Sequence, residues 1–459
     1  MFNSDLPGRS GPDACPGALQ VHAAADGGLA RVRIPGGAVT AGQLRAVAAA
    51  ARELGSGVIE LTSRANLQVR GLRLPPDACG GAERVPAEAP DFAARMAAAG
   101  LLPSATHERV RNIVASPLAG RSAAGGRDVR PLVAELDRAL CARPGLAELP
   151  GRFLFALDDG SGDVAALEAD VTLRPVAAAD ESEAALLLAG ADPGLRAPSG
   201  AETAGLLAVA EAFLAERAAQ GSRAWRLREL ADGPARVAAR AVQLEPRLRR
   251  SAARPPEAYA AETGAGGADG VVGVVGVVGQ PDGRVALAVL PPLGRLTPAQ
   301  AEALAAAAGD GAGEVRVTPW RTVVVPDLTP ADAGRWRARL AEAGLVADPA
   351  SPWLGVTACA GRPGCAKSRA DVHADIRAAL GDPRPDADVS RDAVRSPTDA
   401  GRIPAHWAGC ERRCGRPRGR VVDVVATTHG YRVEADGVSR AFPGAEQTSA
   451  AVAATREGL

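Results

Sequence analysis

Lysine is nearly missing from this 459-residue chain: Lys367 is the only one, so almost all positive charge is arginine. Net charge is missing as well, because 53 Lys and Arg balance 53 Asp and Glu. A zero balance gives no global field to attract nucleic acid or a membrane surface, so an anionic ligand must be held by local arginines. Long apolar runs are also lacking. Val271–Gly279 is far too short to cross a bilayer, and Met1 to Ala18 has no signal-like stretch. These absences predict a cytoplasmic, reducing location, without nucleic-acid or membrane partners. There, cysteines read as metal ligands or catalytic groups and not as disulfides. Aromatics reach only 3%, yet hydrophobic residues make up 47%. A chain of this length and composition folds as two to four globular units.

What is present is a repeat. Asp26–Leu72 and Asp282–Leu328 read alike: a strand ending in Pro and Gly, an Ala-rich helix, then two short strands around a turn. Thr40-Ala-Gly-Gln43 and Thr297-Pro-Ala-Gln300 open the helices as capping boxes, and Pro298 occupies a first-turn position. The helices stop at Gly55 and Gly309, and Thr62 aligns with Thr318 and Asn66 with Thr322. Each β-α-β-β copy buries too little surface alone, so the two are expected to pair. The likeness continues. Residues 111–120 precede a helix Val129–Leu140, and residues 355–361 precede a helix Ser368–Leu380. Residues 149–153 resemble 403–407, and Pro246–Gly270 reads as a linker rich in Arg, Pro and Gly.

Seven cysteines divide into three scattered ones (Cys15, Cys79, Cys141) and four near the C-terminus, Cys359-x5-Cys365 and Cys410-x3-Cys414. The second pair is spaced to put both sulfurs on one side of a turn, and Gly361, Pro363 and Gly364 let the first loop fold both inward. Four thiolates suit a 4Fe–4S cluster or structural zinc, and a five-residue gap is wider than zinc pairs favour. Free core cysteines are the bland alternative.

Arg64, Asn66 and Gln68 alternate around a strand–turn–strand, and Arg109 and Arg111 alternate on an expected strand beside Asn112. Both read either as anion-binding groups or as solvated charge. Arg152, between Pro150-Gly151 and an apolar run, reads the same two ways. The five histidines form no metal-binding pair; His406, four residues before Cys410, is the least ordinary. Glycines at every third position in Gly270–Gly279 lack dinucleotide-loop spacing, so any NADH electrons would arrive through a partner.

The duplicated unit, the Thr62-Ser-Arg64 hairpin, Arg111-Asn-Ile and the cysteine set resemble the nitrite/sulfite reductase superfamily over nearly the whole chain. Asp13-Ala-Cys-Pro-Gly17 and Leu61–Gly71 are similar to its precorrin-3B synthase branch. The resemblance implies an α+β fold with two ferredoxin-like half-domains (13–82 and 271–330) pairing centrally. Two α/β domains (88–245 and 331–459) flank them, and 246–270 is the linker. It implies that Cys359, Cys365, Cys410 and Cys414 bind a 4Fe–4S cluster, with Cys414 facing the macrocycle. By position Arg64, Arg111 and Arg152 are catalytic anion-binding residues, with Asn66, Gln68 and Asn112 as substrate-binding neighbours.

One family position departs: Leu154 stands where sulfite-gripping enzymes carry a base, and leucine can hold no oxyanion. Glu411, Arg412 and Arg413 also replace small residues between the last cysteines. The expectation is therefore a tetrapyrrole as substrate and not as cofactor. The reaction implied is an oxygen-dependent hydroxylation of precorrin-3A with γ-lactone closure. Its acetate and propionate groups suit planar arginine pairing. O2 and an external donor, a ferredoxin or an NADH-linked reductase, are the implied partners. A non-haem iron is implied besides, without a ligand set that stands out. A sirohaem-dependent nitrite or sulfite reductase and a non-catalytic four-cysteine metal module are the alternatives.

Overall fold

The computed structural model describes residues 15–74, 87–121, 126–177, 180–254, 275–381, 402–417 and 419–457. Asp13, Cys79 and most of the expected linker lie outside them. Among the described residues four sheets carry the fold, two central and two flanking.

The central sheets are built by the repeat. The first holds strands Gln20–Ala24, Gly27–Val32, Ile59–Leu61, Leu67–Leu72 and Ala87–Glu88; the second holds Gly276–Gly279, Val285–Val289, Glu314–Val317 and Val323–Leu328. Each borrows a strand from the other copy. Ala38–Thr40 pairs with Glu314–Val317, and Arg295–Leu296 pairs with Ile59–Leu61. This exchange, with helix Ala41–Leu54 packed on helix Pro298–Gly309, joins the copies around one core that includes Leu44, Val47, Leu304 and Val315.

Both capping boxes form. Thr40 Oγ1 accepts from Gln43 N at 3.2 Å and Thr297 Oγ1 from Gln300 N at 3.2 Å, with each glutamine oxygen returning to the threonine amide. Each glutamine then donates onward to the end of the next helix, Gln43 to Ala99 O and Gln300 to Ala343 O. The duplication thus extends to single hydrogen bonds.

The first flanking sheet runs from Ile113–Ala115 through Phe155–Leu157, Val171–Ala177, Asp180–Leu188 and Leu195–Pro198 to Arg249–Arg250. Helices Arg130–Cys141, Glu202–Ala219 and Gly233–Leu244 accompany it, with Phe153, Phe155 and Phe213 in its core. The second runs Val356–Ala358, Ala405–Ala408, Val422–Thr427, Gly430–Ala435 and Val438–Phe442, with helices Val372–Leu380 and Ala445–Arg456. Both begin with parallel pairs and end antiparallel.

Three local expectations change. Arg109 stands in a turn and Arg111 in the irregular stretch before Ile113–Ala115, not on a strand: Asn112 Nδ2 donates back to Arg109 O at 3.2 Å, and Glu108 is turned to the distant Ala18 amide. The helix expected from Ser368 begins at Val372, where Asp371 caps it by accepting from Ala374 N at 3.1 Å. Arg249–Arg250, inside the expected linker, pairs with Leu195–Arg196, and Leu248 is buried before it.

Candidate functional site: an arginine pocket and a cysteine loop on one sheet face

Arg31 lies in the strand Gly27–Val32 and Arg33 one residue past its end, near enough for their charges to interact. The hairpin turn brings Arg64 beside them, with Ala65 at φ 55°, a position the second copy repeats with Arg321 at φ 63°. From the first flanking domain, Gly151 O accepts from Arg64 at 3.4 Å, while Arg152 lies over the Trp225 ring at 5.7 Å. Arg226 follows Trp225 and is paired with Asp170 at 2.7 Å.

These cations feel one another. Burial, then repulsion from Arg226, Arg152 and Arg31, lowers Arg64 to about 10. Burial and Arg31 lower Arg33 to about 9, although Cys15 and Glu108 oppose this. Both remain cationic at neutral pH. Arg33 is only 2% exposed; its Nε donates to Arg109 O at 3.2 Å, but among the described residues Nη1 and Nη2 have no hydrogen-bond partner. A buried guanidinium with orphaned donors among like charges is costly unless an anion completes it.

Glu108 closes the pocket from the N-terminal side. Its carboxylate accepts from Ala18 N at 2.5 Å and Leu19 N at 2.9 Å, which holds the Cys15-Pro16-Gly17 segment beside Arg33. A Cβ on Gly17 would lie 2.2 Å from Glu108 Oε1, so a side chain there would displace the carboxylate that holds this segment.

The expected site residues divide. Arg64 and Arg152 meet in the pocket. Asn66 and Asn112 are buried and join the half-domain to the flanking domain. Asn66 Nδ2 donates to Asn112 Oδ1 at 3.2 Å and Asn66 Oδ1 accepts from Ile34 N; Asn112 Nδ2 donates to Gly151 O at 2.9 Å. Arg111 is a two-pronged partner of Asp137, with both bonds 2.7 Å, and anchors the loop carrying Asn112 to helix Arg130–Cys141. Leu154 is buried in the central core, and its N–H donates to Asp170 at 2.9 Å. Arg31, Arg33 and Arg226 were not singled out from sequence. The Arg31-Val-Arg33 alternation in an otherwise apolar strand was the available signal; nothing local marks Arg226.

Gln68 sits in a row across the sheet. Arg31 pairs in register with Gln68, Gln68 with Glu60, and Glu60 with Arg295. The side chains are bonded throughout. Gln68 Oε1 accepts from Arg31 at 2.6 and 2.9 Å, Gln68 Nε2 donates to Glu60 at 2.7 Å, and Arg295 donates to Glu60 at 2.7 and 3.0 Å. Arg70, gripped by Asp26 at 2.9 Å, lies 3.5 Å from Glu60. At the far end, Arg295 donates to Ala360 O at 3.4 Å and Arg70 to Gly364 O at 3.0 Å. A Cβ on Gly364 would lie 2.6 Å from Arg70 Nη2, so a side chain there would push the guanidinium off the loop.

That loop carries Cys359 and Cys365. Gly409 N–H donates to Cys359 Sγ at 3.1 Å, and Arg369 N donates to Gly409 O at 2.8 Å, fastening the first cysteine loop to the second. Burial raises the Cys359 thiol, and the nearby Cys410 and Cys414 raise it further. Cys359, Cys365 and Cys410 are half-buried and Cys414 is exposed. Among the described residues no three His, Cys, Asp or Glu side chains close round a point as ligands of one ion. Four thiolates are a donor set that a 4Fe–4S cluster or a structural zinc can take. Four thiols with a backbone N–H already aimed at one sulfur fit such a cluster.

Two buried histidines flank the loops. His373 Nε2 donates to Cys359 O at 2.8 Å, and His406 Nδ1 lies 3.0 Å from Thr357 Oγ1. Burial, then Arg295 for His373 and Arg321 for His406, lowers both to about 4, so both are neutral at pH 7.

Comparison with known proteins agrees with this architecture. Residues 22–75 and 278–343 match the Nitrite/Sulfite reductase ferredoxin-like half domain. A precorrin-3B synthase from Sinorhizobium is 28% identical over 438 residues, 94% of this chain and 84% of the relative. A ferredoxin–nitrite reductase from Synechococcus elongatus is 36% identical over 138 residues, 29% of this chain and 25% of the relative. The solved structure of Mycobacterium tuberculosis NirA protein covers 90% of this chain and 76% of its own, with a TM-score of 0.63 at 22% identity. The fold is nitrite/sulfite reductase-like, and along nearly its whole length the chain resembles precorrin-3B synthase. No helix among the described residues is long and apolar enough to cross a membrane.

Proposed function

We propose that this chain is an oxygen-dependent oxidoreductase of cobalamin biosynthesis that converts precorrin-3A to precorrin-3B. One atom of O2 is added to the substrate, with hydroxylation and γ-lactone closure. The other leaves as water, which takes up two electrons and two protons. The observation that carries the reading is the buried, orphaned Arg33 among Arg31, Arg64, Arg152 and Arg226. A ligand bearing several carboxylates completes those donors by charge-assisted, two-pronged bonds. Nearly full-length likeness to a precorrin-3B synthase supplies the substrate class.

In this reading Arg33, Arg64 and Arg152 grip carboxylates, and Asn66, Asn112 and Arg111 fix the two loops that present them. Cys359, Cys365, Cys410 and Cys414 hold a 4Fe–4S cluster, which when bound supplies electrons one at a time. An external reductant, a ferredoxin or an NADH-linked reductase, refills it. Leu154 is neither donor nor base, which supports a tetrapyrrole substrate over gripping of a small oxyanion. Anaerobically reconstituted protein given precorrin-3A, O2 and a reductant should yield product heavier by one oxygen atom. Co-purified sirohaem with six-electron reduction of nitrite or sulfite would instead establish a reductase, and zinc without turnover a structural module.

A further inference from the structure

The polar row Arg31–Gln68–Glu60–Arg295 has a counterpart at equivalent positions of the second central sheet. There Ala288 pairs with Val324, Val324 with Arg316, and Arg316 with Ala38. Three of those four residues are apolar, and Ala288 and Val324 pack under Leu118. The second copy therefore folds to the same strand order and strand exchange without a hydrogen-bonded row. Burying Glu60 with Arg70 and Arg295 costs desolvation that the fold does not require.

The polar row is found in the copy whose far end reaches the cysteine loop. Its near end is Arg31, which faces Arg33 and Arg64. Its far end is the pair Arg295 and Arg70, which hold the carbonyls of Ala360 and Gly364 between Cys359 and Cys365. Among the described residues Glu60 is the one that meets both arginines and, through both ends of the Gln68 amide, Arg31. We infer that Glu60 is a positioning residue that couples the arginine pocket to the cysteine loop. An anion bound at one end and the oxidation state of the thiolate centre at the other change each other's free energy. The inference rests on the carboxylate-tetrapyrrole reading above and adds the route by which the site senses its ligand. Coupling of this kind is reciprocal. The added negative charge of the ligand favours the oxidised centre.

The test is an EPR-monitored redox titration of the cluster-loaded protein, with and without uroporphyrin, an octacarboxylate tetrapyrrole. Wild type should bind uroporphyrin about tenfold tighter when oxidised, which lowers a one-electron midpoint by about 59 mV. Glu60→Gln should reduce that preference below twofold at unchanged iron and sulfide content. Gln68→Leu breaks a different rung, imitates Val324 of the second copy, and should lose the preference equally. A tenfold preference surviving in both variants, or wild type that binds uroporphyrin without any shift, would overturn the role of Glu60. Wild type that does not bind uroporphyrin at all would overturn the substrate reading on which it stands.

Discussion

Two loops, each leaving the first strand of a flanking sheet, show how one backbone serves two purposes. After Ile113–Ala115 comes Ser116; after Val356–Ala358 comes Cys359. Asp159 N donates to Ser116 Oγ at 3.1 Å, and Gly409 N donates to Cys359 Sγ at the same distance. From there they diverge. The first loop puts Leu118 on the apolar row of the second central sheet and sends Arg121 to Asp327 at 2.8 Å. The second offers its carbonyls to Arg70 and Arg295 from the polar row of the first sheet. The difference teaches that the first loop is held on the second central sheet by an apolar plug and an ion pair. The thiols and the polar row of the other side have no counterpart there, and in the proposed function they serve the chemistry.

The comparison can be broken at its apolar member. Leu118→Ala removes the side chain, 1% exposed, that covers Ala288 and Val324. It should cost about 2–4 kcal/mol in urea unfolding. Loss below about 0.5 kcal/mol would mean that the first loop is not held by packing.

A smaller effect sharpens the comparison through pH. Where the second loop faces Gly409, the first faces Asp158, Asp159 and Asp163, all buried. Ser116 Oγ donates to Asp163 at 2.6 Å. Burial, then Asp158 and Asp159, raises Asp163 well above the ordinary carboxylate value. A carboxyl with a raised folded pKa contributes its stability in full below the unfolded value near 4. That contribution is lost as pH rises through the folded value, at about 1.4 kcal/mol per unit of difference. Asp163→Asn removes this loss. The fall in the unfolding midpoint from pH 5 to pH 8 should therefore be smaller in the variant than in wild type. An unchanged fall would place the titration elsewhere.

Much of this was legible in the sequence for identifiable reasons. Thr-x-x-Gln at the start of two Ala-rich helices is a local signal with a local cause, and both boxes form as read. Thr62 and Thr318 support the same turn in each copy, each accepting from the amide four residues on. The strand exchange was not legible: Ala38–Thr40 and Arg295–Leu296 are too short to show a period. Nor was the polar row, because its four residues come from strands that only the tertiary fold makes neighbours. Arg64 and Arg152 were readable as candidates, but the missing partner of Arg33 is a property of burial, which no spacing reports.

Equilibrium titration of uroporphyrin against wild type, Arg64→Ala and Arg316→Ala tests the central claim most directly. Arg64 lies in the pocket, whereas Arg316 lies on the second sheet, paired with Glu314. One lost charge-assisted pair is worth about 1.5–3 kcal/mol, so Arg64→Ala should bind roughly tenfold to a hundredfold more weakly than wild type. Arg316→Ala should match wild type. Equal affinity of Arg64→Ala and wild type would contradict the account, since the carboxylates would then be held elsewhere.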